Sequence, residues 1–435
     1  MASLMLVPRP VLSGPEQLGA TSDNRFLIHY TAVGADAVDP GAVGVGLNFF
    51  GSHYLQQLGM RPPLPDDGGG GDSRVDVYLH TQTSGERGQT VPVDVGKPGV
   101  ASCWIEIDPR SSSFSGALLE AVAGHEAMHC VQLAYTTNAP AWLKESCSAY
   151  VEHKNWTFDL LQQETNDRWA AILAHPEIPL ETVDGTHEYV EQTFVKFLVD
   201  RYSGPSYELP LRAMWDALGS GADPITAVEQ ASGHSIAETL AEFGRWNLYA
   251  CGADDGLHYD KLGQCTSTAR ASPIGLVVPS SRALPLAELA VNWISVPLDP
   301  CDPASALFDG SSGVAFAVGD SPITTSSMMS DMIPLAGSQP VRIAIATGRS
   351  PAPSLAVTLS AATPDGGACP SLDSFQMSDM MAPTVHGSGC SCAIGHAASG
   401  DDRLAFLVAA LFALTLLRRR RVPSLAGSRG GRAPS

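Results

Sequence analysis

The sequence predicts a mixed α+β chain in three stretches: a helix-rich α+β domain, a small all-β sandwich and a C-terminal apolar segment. Three observations carry this. Residues 25–250 mix strand-like runs with long stretches of helical apolar spacing. From about residue 272, short apolar runs recur between Gly, Pro, Ser and Asp. Residues 404–417 form an apolar run followed by four arginines. A length of 435 residues exceeds one ordinary domain, and a hydrophobic content of 44% is enough for real cores.

The N-terminal MASLMLVPRPVLSG lacks a basic start, and Pro8 and Pro10 cut its apolar run short. Residues 1–24 are therefore expected to be a leader or a disordered segment, with the true start upstream of Met1. RFLIHY (25–30), VDVYLH (75–80) and VASCWIEID (100–108) read as strands. Residues 43–58 have apolar residues at helical spacing and read as a helix despite their glycines. Residues 62–72 are a Pro/Asp/Gly loop. A long helix is expected over 113–135, and TTNAP (136–140) stops it. Pro140 then opens a second helix over 141–155. Further helices follow at 187–202, 208–218 and 236–247. The runs IGLVVP, VNWISVPL, GVAFAVG, VRIAIATG and SLAVTLSAA suggest a β-sandwich over 272–380.

Charge narrows the function classes. The chain carries 26 Lys+Arg against 45 Asp+Glu, a formal charge of −19. Nucleic acid is not expected as a partner, because phosphate binding needs a basic face. Residues 401–435 run the other way, with seven Arg against two Asp. A basic tail behind an apolar stretch signals membrane topology.

Chemistry enters inside the long helix, at Gly124-His125-Glu126-Ala127-Met128-His129. Residues i and i+4 of a helix lie about 40° apart around its axis and about 6 Å along it. The imidazoles of His125 and His129 can therefore share one metal ion, with Glu126 beside them to take a proton from the attacking water. Ala117, Leu118, Val122, Met128, Val131 and Leu133 supply a broad apolar side that includes both histidines, so these should point inward. A third ligand is expected shortly after. Glu145, in AWLKESCSAYVE, lies sixteen residues past His129 on the next helix. Three protein ligands leave the open position that a catalytic zinc needs. His187, Tyr189 and Tyr150 are candidate donors to the developing oxyanion. Glu152, two turns beyond Glu145, reads either as a carboxylate that holds a ligand His or as a solvated surface Glu. Cys130 and Cys147 sit within one turn of the ligand positions, so a bridge between the two helices is one expectation and thiol ligation a weaker one. Cys251–Cys265 and Cys301–Cys369 are plausible bridges on order alone. Asp66, Asp67, Asp72 and Asp76 surround four glycines without the spacing of an EF-hand loop.

H-E-x-x-H followed by W-L-x-E-x-x-x-A-Y-V-E resembles the gluzincin branch of the zincin metallopeptidases. Residues 25–250 more narrowly resemble a group of myxobacterial secreted metalloproteases, through RFLIHY, Gly59-Met60-Arg61-Pro62-Pro63, VDVYL, GHEAMHCVQLAY and WLKESCSAYVEH. The resemblance implies a zincin-like metallopeptidase domain over 25–270, one zinc held by His125, His129 and Glu145, and Glu126 as general base and then acid. It implies peptide-bond hydrolysis on a protein or peptide substrate, with the strand 103–108 pairing as an edge strand with that substrate. Ser146 stands where the family usually has Gly.

The C-terminal region (386–421) contains Gly-Cys-Ser-Cys, the apolar run 404–417 and a basic cluster, in that order. Fourteen residues are short of the roughly twenty of a full span. The arrangement resembles the MYXO-CTERM type of sorting signal, with Cys390, then Cys392, as the processing residue. It implies an exported chain displayed at the cell surface or outer membrane, its apolar segment transiently in the membrane. Residues 422–435 read as a disordered basic tail. The alternative is a catalytically silent surface binding or adhesion protein on the same scaffold.

Overall fold

The computed structural model describes residues 8–66, 68–82, 85–110, 116–156, 159–203, 208–251, 257–259, 270–278, 280–297, 304–309, 314–318, 333–335, 341–349 and 354–361. The fold is mixed α+β. Its first sheet contains β1 (Gln17–Ala20), β2 (Phe26–Tyr30), β3 (Val75–Leu79), β4 (Gly88–Val93) and β5 (Ser102–Ile107), in the order β1-β2-β3-β5-β4. The central strands β2, β3 and β5 are parallel, while β1 and β4 close the two edges antiparallel. The short apolar runs FLIHY, VDVYL and SCWIEI suit such buried central strands. Alternate residues Phe26, Ile28, Val77, Ile105 and Ile107 join one core with Val43, Leu47, Leu118 and Val122 of the helices laid over that face.

Those helices are α1 (Gly41–Phe50) and α2 (Gly116–Tyr135), followed by α3 (Ala141–Asn155). The expected helix 43–58 changes winding midway. Residues Gly51–Gln57 are π-helical, and the N–H of Leu58 reaches back five residues to His53. Pro140 caps α3 in an extended conformation, which fixes its start where the sequence places it. The remaining helices are α4 (Asp159–Ala174), α5 (His187–Val190), α6 (Gln192–Tyr202), α7 (Leu209–Gly219), α8 (Pro224–Ser232) and α9 (Ile236–Asn247). α9 opens on a capping box of Ser235 and Glu238.

The single helix expected over 187–202 is broken at Glu191, which separates α5 from α6. Glu191 is 2% exposed, and its Oε2 has no hydrogen-bond partner among the described residues. Burial holds its carboxyl well above the ordinary carboxylate range. The folded chain therefore keeps this proton while the unfolded chain loses it, and stability falls as pH rises past the ordinary carboxylate value. Glu191→Gln is expected to be more stable than the wild type by about 1–3 kcal/mol near neutral pH. That advantage should widen as pH rises past the ordinary carboxylate range, read from urea midpoints. An advantage independent of pH would contradict a neutral Glu191.

Part of residues 8–24 is built into the fold. β1 pairs with β2 in register Gln17↔Tyr30 through Ala20↔Leu27. Upstream, Arg9 reaches two buried carboxylates, Asp66 and Asp76, at 2.6 Å each. Asp72 is taken by Arg74. The acidic loop is thus held by arginines, and its described carboxylates form no cation cage. Asp67 lies outside the described residues.

The expected sandwich is present in two four-stranded sheets. One has the order β10 (Val314–Val318), β12 (Val341–Thr347), β8 (Val291–Val296), β6 (Ile274–Gly275). The other has β11 (Ile333–Leu335), β9 (Ala304–Asp309), β13 (Ser354–Ala361), β7 (Ser280–Pro285). Ile294, Val296, Ile343 and Ile345 meet Leu284, Leu355, Val357 and Leu359 in a core of their own. The opposite face of the β10-β12-β8-β6 sheet is buried too. Val291, Trp293, Ala315, Ala317, Ala344 and Ala346 belong to the helical core. Trp293 Nε1 donates to Gly244 O of α9 at 3.1 Å. A Cβ at Gly244 would stand 2.5 Å from Val291 Cγ1 and 2.9 Å from Ala344 Cβ, so only glycine allows this approach.

Cys130 pairs with Cys103 of β5, Cα to Cα 5.6 Å, and not with Cys147, which is a free buried thiol. β5 lies under α2 in the core, so the bridge joins sheet to helix where a helix-to-helix bridge was expected. A loop of this length contributes roughly 3–4 kcal/mol in the chain-entropy picture. Cys251 is also disulfide-bonded. Cys265, Cys301 and Cys369 lie outside the described residues, as do Cys390, Cys392 and the apolar run 404–417. Among the described residues no helix is long and apolar enough to cross a membrane.

Candidate metal centre

α2 is buried on most of its circumference, with Leu118, Ala127, Met128 and Val131 at 0% exposure. His125 and His129 project from it, one turn apart, and α3 brings Glu145 back to them. The two Nε2 atoms are 3.2 Å apart. Glu145 Oε2 lies 3.5 Å from Nε2 of His125 and 3.4 Å from Nε2 of His129. Zinc bonds of about 2.0–2.1 Å in tetrahedral geometry put neighbouring ligand atoms about 3.3–3.4 Å apart. The three donors fit that spacing, and no other group of His, Cys, Asp and Glu among the described residues gathers so closely.

The surrounding hydrogen bonds decide where the imidazole lone pairs point. His125 Nδ1 lies 3.1 Å from Glu152 Oε2, a carboxylate that only accepts. His129 Nδ1 lies 2.9 Å from Gln132 Oε1. The Gln132 amide is oriented by its Nε2, which donates to Lys144 O at 3.0 Å and to Ser148 Oγ at 3.2 Å. Both Nδ1 atoms are therefore assigned as donors, which leaves both Nε2 atoms as bare acceptors facing each other and a carboxylate. Such a triad could hold a cation at its centre. Although burial opposes it, hydrogen bonds to Glu145 and Glu152 push the His125 imidazole up to about 10. Burial acts against Glu145 as well, and the two histidines hold it below the usual carboxylate range. Glu152 is held down to about 2 against its burial, by His125.

Glu126 is 5% exposed, and burial raises its carboxyl above the ordinary value. Thr90 Oγ1 of β4 donates to its Oε2 at 2.7 Å. Glu126 and the three donors line a cleft of about 680 Å3 with β4 along one wall. Of the expected edge strand 103–108, residues 103–107 belong to β5, which is interior, and the sheet edge beside the cleft is β4. Pro92 within β4 is consistent with an edge, where a missing N–H costs no ladder bond.

The remaining sequence candidates separate. Tyr189 lines the cleft, with Arg168 5.7 Å from its ring centroid, and burial raises its phenol pKa, so it stays a neutral donor. His187 is not among the cleft's lining residues and bonds Asp184 at 2.6 Å. Tyr150 is buried elsewhere, its hydroxyl donating to Glu208 at 3.1 Å. Glu152 is buried, at 6% exposure, and bonds His125 instead of standing in solvent. Thr90, Gln132 and Ser148 were not foreseen. Gln132 follows His129 by three residues on the same helix, a spacing that could have signalled it. Nothing in the sequence pointed to Thr90.

A scan against protein-family models and a search of curated proteins return no match.

Proposed function

We propose that this chain is an exported zinc-dependent peptidase on a zincin-like scaffold, with His125, His129 and Glu145 holding one zinc per chain and Glu126 as general base. The observation that carries the reading is the convergence of three donor atoms at 3.2–3.5 Å, two of them with enforced lone pairs, on a cleft that also contains Glu126. When bound, zinc polarises the scissile carbonyl and makes the attacking water easier to deprotonate. Glu152 and the Gln132–Ser148 pair hold the imidazoles in orientation. Glu126 takes the proton of the attacking water and returns it to the leaving nitrogen. Tyr189 is the candidate that donates to the oxyanion. β4, which pairs on one side only among the described residues, would offer an extended protein or peptide substrate a strand edge.

The Cys103–Cys130 bridge supports export, since such bonds persist in oxidising compartments. The sequence of the C-terminal region supports surface display through a sorting signal. The test is zinc content per chain, paired with hydrolysis of casein or a quenched peptide. The wild type is expected to hold one zinc and to cleave, and His129→Ala to lose both. A folded wild type without zinc removes the reading. Zinc without cleavage favours the binding or adhesion protein.

A further inference from the structure

The geometry points to Thr90 as a positioning residue for Glu126: its hydroxyl engages one carboxylate oxygen, Oε2, and leaves the other, Oε1, to take the proton. This rests on the peptidase reading above and goes beyond it, because it assigns a role to the edge strand and to a particular oxygen. Thr90 Oγ1 lies 2.7 Å from Glu126 Oε2 and 3.0 Å from Glu126 O. A hydroxyl has one proton to give, and the carboxylate oxygen is both nearer and charged. The bond therefore pins the side chain, while the second contact keeps strand and helix together at the same residue.

Gly88 completes the arrangement from the same face of β4, two residues away. A Cβ at 88 would stand 2.6 Å from Glu126 Oε1 and 2.9 Å from Val122 Cγ1. Only glycine leaves Oε1 its place. Among the described residues Oε1 has no hydrogen-bond partner, whereas Oε2 is engaged. The step balances on Oε1. A proton of water passes to it as the water oxygen bonds to the carbonyl carbon, and the same proton goes to the amide nitrogen as the C–N bond breaks. The strand that offers its edge to the substrate thus also aims the base, so a peptide lying along β4 approaches an already oriented carboxylate.

The test compares Thr90→Val and Thr90→Ser with the wild type in the full zinc-loaded chain. Zinc content, kcat, KM and the Glu126 orientation in crystal structures are the readouts. Thr90→Val is expected to keep one zinc, to lose about 10- to 100-fold in kcat with KM within about threefold, and to turn the Glu126 carboxylate. Thr90→Ser restores the hydroxyl and should restore both rate and orientation. The proposal falls if Thr90→Val turns over at the wild-type rate, if Thr90→Ser is as slow as Thr90→Val, or if Glu126 is unmoved in Thr90→Val. Should the wild type cleave nothing, the peptidase reading fails, while the Glu126 orientation in Thr90→Val still decides the positioning.

Discussion

Glu126→Gln is expected to keep one zinc per chain and to lower kcat/KM by about a thousandfold, equivalent to roughly 4 kcal/mol of barrier. Zinc should stay because Glu126 is not among the three converging donors. An amide cannot take a proton from water, so the step assigned to this residue is removed. The shape should survive, since Gln retains a carbonyl oxygen that accepts from Thr90. Burial already disfavours a charge at this position. The variant should therefore be at least as stable as the wild type, which separates loss of chemistry from loss of fold. Parallel measurement of zinc, kcat/KM and thermal midpoint checks this. Cleavage within about tenfold of the wild type would overturn the assigned role.

Arg9→Ala is expected to cost about 3–5 kcal/mol of stability, the range for breaking a buried ion pair and leaving its partner uncompensated. Asp66 and Asp76 both have side chains at 0% exposure, and Arg9 binds each at 2.6 Å. Without it, Asp66 retains the Gly68 N–H at 2.7 Å and Asp76 retains His29 at 3.0 Å, and the two neighbouring carboxyls lose the cation between them. The same reasoning predicts rescue. Asp66→Asn with Asp76→Asn should make the loss of Arg9 much milder, because no buried charge is then stranded. Urea midpoints of the wild type, Arg9→Ala and the triple variant test this. An Arg9→Ala protein as stable as the wild type would contradict the structural role given to this ion pair.

Periodicity made α2 and α3 legible, because each keeps an apolar stripe and meets a clear stop. The same holds for β2, β3 and β5, and for the apolar strands β8, β10, β12 and β13. The two histidines were readable because they lie on one helix, where spacing alone sets geometry. Glu145 needed only one helix-to-helix turn more. What escaped depends on tertiary contact. β4 reads GQTVPV, and its Gly and Pro look like a loop; only its place at the sheet edge tolerates them. Thr90 meets Glu126 across 36 residues, a distance no local pattern spans. The partner of Cys130 was missed because sequence order cannot say which strand passes beneath a helix. Tyr150 and His187 share the helical context of Tyr189, and only packing separates the one that faces the cleft.

The two-sided burial of the sheet β10-β12-β8-β6 bears on how this chain can change over time. A module joined to its neighbour by a linker can be copied, lost or exchanged between genes without harm to either part. Here a transplanted sandwich would carry Val291, Trp293 and Ala344 bare into water, an apolar patch that invites aggregation. A chain that gave it up would strip the cover from α9 at Gly244. The N- and C-terminal halves must therefore be inherited together, and substitutions at 244, 291 and 344 should covary.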